Sequence, residues 1–347
     1  MRDFASDNHA GVHPELLEAI VAANEGHAAA YGADEWTASA EAAFREHFGA
    51  EARAYPMFNG SGANVAAIDA LTGPHEAVIC TDVAHMHVDE CGAPERVAGT
   101  KLLTVAHTDG KLTPGDIARW ESSRGDEHRA QPRVVSITQA TELGTVYSLE
   151  ETRAISDAAH RLGMHVHLDG ARLANAAASL GLGLGELTTD AGVDVVSFGA
   201  TKNGALVGDA VVILNPELGA SFAFTRKQLG QLASKMRFIS AQLQALLAGD
   251  LWLRNATHAN EMARTLAAAV GGIEGVELAY PVEANAVFAR LARPMIDDLM
   301  QRVEGDHPFY VWDEPAGVVR WMCSWDTSTE DVEAFAAAVS EAARAAA

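Results

Sequence analysis

Two short stretches in the middle of the 347-residue chain decide its fold: HVHLDGARLANAA (residues 165–177) and VDVVSFGATK (residues 193–202). Each begins as an apolar run with the character of a buried strand and ends in polar residues. Asp169 and Arg172 follow the first run, and Lys202 follows the second. Because ligands of open α/β sheets bind at the carboxyl ends of the strands, we expect an acid, an arginine and a lysine to converge on one crevice.

These three side chains suit an enzyme that depends on pyridoxal phosphate (PLP). Lys202 can form a Schiff base with PLP, and its place between apolar strands predicts a crevice where loss of water lowers its pKa. Asp169 would keep the pyridine nitrogen protonated, Arg172 supplies a basic partner for the ring, and we expect Thr201 to add a hydroxyl group to the phosphate site. Taken singly, the aspartate is also typical of a helix cap and the lysine of a solvated surface, so the combination favours PLP.

The pattern along the chain predicts a large α/β domain. Seven apolar runs have strand character, at residues 54–58, 77–81, 101–106, 133–138, 165–168, 193–198 and 210–214. Helical spacing lies between most of them, at residues 61–72, 115–121, 149–162 and 171–180. Continuously apolar strands that alternate with helices indicate a mostly parallel seven-stranded sheet that is covered on both faces.

The chain changes character towards its C-terminus. Residues 221–270 are largely helical, and short strands mix with helices from residue 271 onward. We therefore predict a large domain at 1–250 and a smaller α+β C-terminal domain at 251–347. Residues 1–13 are polar, which is typical either of a frayed terminus or of an arm that contributes polar groups to a site elsewhere.

Composition narrows the class of function. The net charge of −22 argues against nucleic acid and anionic membranes as partners, because both require a basic surface. The three cysteines have no CxxC spacing, which is typical of reduced thiols. The N-terminus lacks the apolar core of a signal peptide, and no apolar run is long enough for a membrane span. We expect a soluble, cytoplasmic protein.

The segment FNGSGAN at residues 58–64 follows the first strand and opens a helix. Small residues at a helix N-terminus let backbone N–H groups approach an anion, which indicates a phosphate site at Gly60, Ser61 and Gly62. Any strand-to-helix turn favours glycine, so the segment is ambiguous by itself. It is not the fingerprint of a nicotinamide dehydrogenase, because Val65 stands where the third glycine belongs.

Four histidines lie in or near strands without the partners of a metal site. His85 and His87 follow the second strand, while His165 and His167 share one strand. Neither pair has a matching carboxylate or cysteine pair, so we predict no metal. His85 is a candidate to stack on a cofactor ring because of its place in the fold.

The segments FASDN, FNGSGAN, HLDGARL and TKNG, with the dipeptide Ala84-His85, resemble in order and spacing the threonine aldolase family of PLP enzymes. That family has the aspartate-aminotransferase-like fold, fold type I. The resemblance extends from residue 4 to about 325, and DGAR with the downstream lysine is its most specific part. It implies cleavage of L-threonine, L-allo-threonine or related L-β-hydroxy-α-amino acids to glycine and an aldehyde.

The resemblance also implies a role for each matching residue. Lys202 would hold PLP, Asp169 would pair with the ring nitrogen, and His85 would stack on the ring. The phosphate would be held by Gly60, Ser61 and Gly62, and the substrate carboxylate by Ser6, Arg172 and Arg320. Two arginines on one carboxylate fix the orientation of the amino acid, so that the Cα–Cβ bond stands perpendicular to the ring.

One loop departs from the family. Many members carry a second histidine after the fourth strand, in a pattern such as ENTHNGG, whereas residues 139–145 here read QATELGT. The base at the β-hydroxyl must then be His85, a water or Glu142, and the sequence does not choose among them. The loop also leaves the substrate open, including bulkier β-hydroxy amino acids such as phenylserine.

Other functions remain compatible with these motifs. The same lysine and aspartate would serve β-elimination, racemisation or transamination of a small amino acid. A non-catalytic ligand-binding homologue is a third class, although the retained lysine, aspartate and arginines argue against it. Proteins of this fold usually build the site at a dimer interface, so the resemblance implies a homodimer or homotetramer. Neither the preferred aldehyde nor the threo/erythro preference follows from the sequence.

Overall fold

The seven predicted strands form one sheet in the computed structural model, which describes residues 2–346. The strands are β1 (Arg53–Met57), β2 (Glu76–Thr81), β3 (Lys101–Val105), β4 (Gln131–Thr138), β5 (His165–Gly170), β6 (Val195–Phe198) and β7 (Asp209–Ile213). Their order across the sheet is β1-β7-β6-β5-β4-β2-β3. The prediction of a mostly parallel seven-stranded sheet is confirmed.

Strand β7 runs against its neighbours, pairing antiparallel with both β1 and β6. The reason lies in the connection from β6, residues 199–208, because a parallel crossover needs a dozen or more residues. The central strands β4, β5 and β6 are parallel, with Thr138 opposite Asp169 and Asp169 opposite Ser197. Their carboxyl ends therefore meet at one edge of the sheet.

Helices cover both faces of this sheet and continue into the C-terminal part. They are α1 (Pro14–Ala23), α2 (Glu35–Phe48), α3 (Gly60–Leu71), α4 (His85–Val88), α5 (Pro114–Ala118), α6 (Leu149–Arg161), α7 (Leu173–Leu180), α8 (Leu184–Leu187), α9 (Phe222–Gln228), α10 (Arg237–Leu247), α11 (Leu251–Val270), α12 (Arg293–Arg302) and α13 (Thr329–Ala346). Among residues 2–346, no helix combines the length and the apolarity that a membrane span requires.

A second, antiparallel sheet of four strands lies in the C-terminal part. It consists of β8 (Glu277–Leu278), β9 (Ala286–Arg290), β10 (Tyr310–Asp313) and β11 (Val318–Met322), in the order β10-β11-β9-β8. Helix α11 joins the two parts, because its first turns pack into the core of the large sheet and its later turns into that of the small one. A domain boundary near residue 250 stays a prediction.

The N-terminal segment is an ordered arm, so the interpretation as a frayed terminus is wrong. Phe4 is buried and packs 4.5 Å from the ring of Phe335 in the C-terminal part. Its N–H donates to the carbonyl of Pro308 (2.9 Å), and its carbonyl accepts from the N–H of Met322 (2.7 Å). The apolar Phe4 therefore anchors a polar segment, and the next residues are carried towards the carboxyl edge of the large sheet.

Candidate active site

A cavity of about 240 Å³ opens at the carboxyl ends of β4, β5 and β6. The predicted site residues in its lining are Gly60, Ser61, His85, Asp169, Arg172, Thr201 and Lys202. Gly62, Ser6 and Arg320 are not in the lining. Seven further polar residues to which the sequence assigned no role also line the cavity: Asn8, Asn59, Asn64, Glu90, Thr138, Ser197 and Asp209.

Lys202 lies in a short turn, Thr201–Asn203, directly after β6. Two hydrogen bonds with α11 hold this turn. The Asn203 side chain donates to the carbonyl of Trp252 (3.0 Å), and the Asn255 side chain donates to the carbonyl of Asn203 (2.9 Å). The positive charge of Arg172 and burial lower the pKa of the Lys202 amine. The sequence predicted burial as the cause of the lowered pKa, but the charge of Arg172 lowers it more than burial does. A lowered pKa favours the free amine that attacks a carbonyl.

Asp169 is almost fully buried at the end of β5. One carboxylate oxygen accepts from the side-chain amide of Asn64 (2.7 Å), and the other accepts from the N–H of Ala171 (3.0 Å). Asn64 lies in the first turns of α3, beside the predicted phosphate turn. Neighbouring elements therefore fix the aspartate in one orientation towards the cavity.

The same Asn64 amide links Asp169 to His85. It donates also to Glu90 Oε1 (2.9 Å), and that oxygen lies 2.9 Å from His85 Nδ1. The hydrogen bond with Glu90 raises the pKa of His85, although burial acts in the opposite direction. Neither Asn64 nor Glu90 was predicted. The only indication in the sequence was that Glu90 follows His85 by five residues, a separation that spans the short helix α4.

The polar atoms of His85, Glu90 and Asp169 all lie within 4.8 Å of one another, a spacing that would also suit a cation. The hydrogen bonds account for this spacing, because the Asn64 amide bridges the two carboxylates and the His85 ring meets one of them. We therefore assign the trio to a hydrogen-bond network. The buried Asn64 Oδ1 and Glu90 Oε2 have no hydrogen-bond partner within residues 2–346.

The predicted phosphate turn forms the N-terminus of α3. Gly60 and Ser61 occupy the first turn, where backbone N–H groups lack helical partners. The Gly62 N–H instead donates to the Asn59 side chain (2.7 Å), which caps the helix. A Cβ atom at Gly62 would overlap the side-chain amide of Gln231, which would have to move to make room for it.

A buried carboxylate closes the cavity near this turn. Asp209, the first residue of β7, accepts from the N–H groups of Ala200 (2.8 Å) and Thr201 (3.1 Å) and from the Thr201 hydroxyl (3.2 Å). Its other oxygen lies near Gly60, 3.6 Å from where a Cβ would stand. Burial raises the pKa of Asp209. The carboxylate shapes the turn that carries Lys202.

Arg172 is held by the N-terminal arm. Its Nε and one Nη donate to the two carboxylate oxygens of Asp7 (2.7 and 2.8 Å), and Asn285 donates to Asp7 as well (3.0 Å). Burial raises the pKa of Asp7, but the charge and hydrogen bonds of Arg172 outweigh it, so that the pKa lies below its ordinary value. The arm thus supplies a polar group to the site edge, as the second interpretation of residues 1–13 expected.

Arg320 and Ser6 lie beside this pair, outside the cavity lining. The Arg320 guanidinium donates to the carbonyl of Ala5 (2.8 Å) and lies over the rings of Tyr310 and Trp312, 5.5 and 4.7 Å from their centroids. Burial and the charge of Arg172 lower the pKa of Arg320 to about 10. The two arginines therefore flank the arm at residues 5–7.

The loop after β4 reaches the cavity through Glu142. Its Oε1 accepts from the backbone N–H of His85 (2.9 Å) and from the hydroxyl of Thr138 (2.8 Å). Burial raises the pKa of Glu142 to about 7. The loop departs from the family pattern in sequence, yet it still places an ionisable group at the same edge of the sheet.

Known proteins place the chain in a family. The sequence model of the beta-eliminating lyase family matches residues 3–294. The chain belongs to this family. Within the beta-eliminating lyases, a low specificity L-threonine aldolase from Pseudomonas aeruginosa is 48% identical to it over 336 residues, which cover 96% of each protein. Another low specificity L-threonine aldolase, from a Pseudomonas species, is 47% identical over 337 residues, covering 97% of this chain and 96% of that protein.

A solved structure agrees with this placement. The structure of Leishmania major threonine aldolase covers 99% of this chain and 100% of its own, with a TM-score of 0.92 and 31% identity. The chain is a lyase of the threonine aldolase group within the beta-eliminating lyases, and its large domain has the PLP-dependent fold type I architecture. The predicted resemblance and fold class are confirmed.

Proposed function

We propose that the protein is an aldolase that uses PLP to cleave L-threonine, L-allo-threonine or related L-β-hydroxy-α-amino acids to glycine and an aldehyde. The observation that carries the proposal is one cavity lined by Lys202, Asp169, Arg172 and the N-terminus of α3. The relatives in Pseudomonas named for low specificity L-threonine aldolase support the reaction.

The residues present fit PLP. A buried amine of lowered pKa, a buried carboxylate and a helix N-terminus line the same cavity, and they match the aldehyde, ring nitrogen and phosphate of this cofactor. Within residues 2–346, the buried Asn64 Oδ1 and Glu90 Oε2 have no hydrogen-bond partner, and both side chains belong to the lining of this cavity. When bound, PLP supplies an electron sink for the pair that the breaking Cα–Cβ bond leaves behind.

Each side chain then has a task in binding. We assign Lys202 to covalent attachment, Asp169 to the ring nitrogen and His85 to the ring face. Gly60 and Ser61 would hold the phosphate with free N–H groups, and the Thr201 hydroxyl lies at the same end of the cavity. Gly62 is left out of this set because its N–H is already bonded to Asn59.

The substrate carboxylate is assigned to the arginine side of the cavity. Arg172 lines the cavity and uses Nε and one Nη on Asp7, which leaves its other Nη group for a substrate. Ser6 and Arg320 lie at the adjoining edge, outside the lining of the cavity. For them to bind the substrate carboxylate, this group must extend beyond the cavity. A homodimer or homotetramer and a cytoplasmic location also remain proposals.

The test is the fate of L-threonine with purified protein and added PLP. We expect glycine and acetaldehyde in equal amounts, and trapping of the cofactor on Lys202 by borohydride. The variant Lys202→Ala should lower cleavage by at least about 10⁴-fold, the upper end of what one acid–base group contributes. Lys101→Ala, at an exposed position of β3, is the matched control.

The same assay separates the alternative PLP reactions. Release of ammonia and a keto acid in place of acetaldehyde would replace the aldolase assignment by β-elimination, and racemised threonine without products would replace it by racemisation. A panel of L-threonine, L-allo-threonine, L-serine and phenylserine then defines the substrate. Protein that neither binds PLP nor turns over any of these compounds contradicts the proposal altogether.

A further inference from the structure

We propose that Glu142 is the catalytic base that takes the proton from the β-hydroxyl group of the substrate. The inference rests on the proposed aldolase function and assigns a residue to a step that the sequence left open among His85, a water and Glu142. It depends on how the acidic and basic groups around the cavity are already engaged.

Glu142 combines access to the cavity with a fixed position. It lines the cavity and is partly buried. The His85 N–H and the Thr138 hydroxyl both donate to Oε1, so the carboxylate is held between the end of β4 and the start of α4. Because the backbone of His85 binds this carboxylate directly, Glu142 lies beside the residue assigned to the ring face.

The other carboxylates of the cavity are committed elsewhere. Asp169 is bonded to Asn64 and Ala171 at the position assigned to the ring nitrogen. Glu90 has a fully buried side chain whose Oε1 meets both Asn64 and His85. Asp209 binds the turn of residues 200–201, next to Gly60.

Among the side chains, His85 is the remaining alternative, and one of its ring nitrogens already meets a carboxylate. Its Nδ1 lies 2.9 Å from the buried Glu90 carboxylate, and this hydrogen bond raises the pKa of the ring. A raised pKa shifts the ring towards its protonated form, in which neither nitrogen has a lone pair for a proton. A carboxylate with a pKa close to the working pH accepts one readily, and burial raises the pKa of Glu142 to about 7.

Several ionisable groups from different elements lie near Glu142. They are Asp169 at the end of β5, Arg172 before α7, His85 at the start of α4, Cys80 in β2 and Tyr147 at the end of the loop. Asp169 adds to the rise in pKa, while the hydrogen bonds from the backbone and from Thr138 oppose it. Activity should therefore rise with pH through the ionisation of Glu142.

The step balances in atoms and electrons. The O–H bond of the substrate breaks, and its proton moves to an oxygen of Glu142. The β-oxygen of the substrate forms the second bond of the aldehyde carbonyl. The Cα–Cβ bond breaks and its electron pair stays on Cα. A proton from solvent then adds to Cα to give glycine, and Glu142 returns its proton to solvent.

The experiment compares two reactions of one protein, the holoenzyme. Aldol cleavage of L-threonine needs a base at the β-hydroxyl, whereas exchange of a glycine α-proton with D₂O involves no hydroxyl group. Glu142→Gln keeps an oxygen acceptor for His85 and Thr138 but cannot take a proton. We expect it to lower kcat for cleavage by about 10²-fold or more and to change glycine exchange by less than about threefold.

Two further variants bracket the result. Glu142→Asp retains the carboxylate, and we expect it to recover part of the cleavage rate. Glu150→Gln is the matched control on an exposed carboxylate near the same loop, and its rates should equal those of the unaltered enzyme. The acidic limb of the kcat/KM profile should have a midpoint near pH 7 and should disappear in Glu142→Gln.

A readout that needs no turnover is the infrared titration of carboxyl groups in the protein without added cofactor. A band that titrates near pH 7 should be present in the unaltered protein and in Glu150→Gln, and absent from Glu142→Gln. A band that persists in Glu142→Gln overturns the assignment.

The rates discriminate between the remaining outcomes. Cleavage within about threefold of the unaltered enzyme in Glu142→Gln overturns the proposal, and so does an equal loss of cleavage and exchange, which indicates a structural role. If His85→Asn loses cleavage but keeps exchange, while Glu142→Gln stays active, the base is His85 and not Glu142. An unaltered protein that performs neither reaction contradicts the proposed function itself.

Discussion

The strand ends and the flanking segments of this site are built in different ways. Asp169 lies at the end of β5 and is fixed through the parallel ladder with β4 and β6, and Lys202 lies in a short turn directly after β6. Glu142 and Asp7 lie in a loop and an arm, and side-chain hydrogen bonds hold them in place. The strand ends keep the family pattern, whereas the loop departs from it. Loops can change in sequence without moving the sheet, so they are where related enzymes differ.

The loop is nevertheless not a loose segment. Gln139 exchanges hydrogen bonds with the backbone of Tyr147 (2.8 and 3.0 Å), and the hydroxyls of Thr141 and Thr145 lie 2.7 Å apart. Its first residue donates to the carbonyl of Asp169 (2.9 Å). Hydrogen bonds thus tie the loop to the strand ends. Substitutions in the flanking segments and substitutions in the strands both test the comparison.

The largest effect on stability should come from the arm. Asp7→Ala leaves Arg172 buried without its carboxylate, and removing one partner of a buried ion pair costs about 3–5 kcal/mol. The free energy of unfolding in urea measures this loss. Glu277→Ala, which removes an exposed partner of Arg290, is the control, with an expected cost of about 0–1 kcal/mol.

The contribution of Asp7 also depends on pH. Its pKa in the folded protein lies below 3.8, so its stabilising effect is present above that pH and is lost as the pH falls through the lower value. Equal losses in Asp7→Ala and Glu277→Ala would show that the arm contributes no more than a surface pair.

A smaller effect should come from the strand side, at His167 in β5. Its ring nitrogens lie 2.9 Å from the hydroxyls of Ser136 and Ser197, and burial lowers its pKa to about 4. Between pH 6.5 and about 4 the unfolded chain binds a proton that the folded protein does not, so stability rises with pH across this window, by up to about 3 kcal/mol.

His167→Gln should remove this slope from the free energy of unfolding measured as a function of pH. His128→Gln, at an exposed position, should leave the slope unchanged. If His167→Gln and the unaltered protein show parallel curves between pH 4 and 6.5, the ring is not held neutral inside the sheet.

The smallest effect concerns Glu90. Its carboxylate meets the His85 ring and is linked to Asp169 in β5 through the Asn64 amide. Glu90→Gln replaces the charged acceptor beside the His85 ring by a neutral one, so we expect the pKa of His85 to fall. A titration of the His85 ring by NMR measures the change. Glu95→Gln, which alters an exposed carboxylate nearby, should leave the pKa unchanged, and a His85 pKa equal in all three proteins would contradict the role of Glu90.

Much of the fold could be predicted from local pattern. Each of the seven strands was found within a few residues, because a strand buried on both faces is apolar along its whole length. The direction of β7 could not be predicted, since it depends on how the short connection after β6 folds back. Glu90 and Asn64 were missed because nothing in the sequence brings them together; α3 and α4 do so only after packing on the sheet.

The sequence by itself determined the family, the central strands and the lysine and aspartate at their ends, because these depend on local apolar runs and on motifs of a few residues. Only the tertiary structure decided that Asp7 engages Arg172 from 165 residues away and that Glu142 meets the backbone of His85. These contacts join segments far apart in the chain. Their geometry is fixed by the packing of the arm and the loop against the sheet, which no local pattern records.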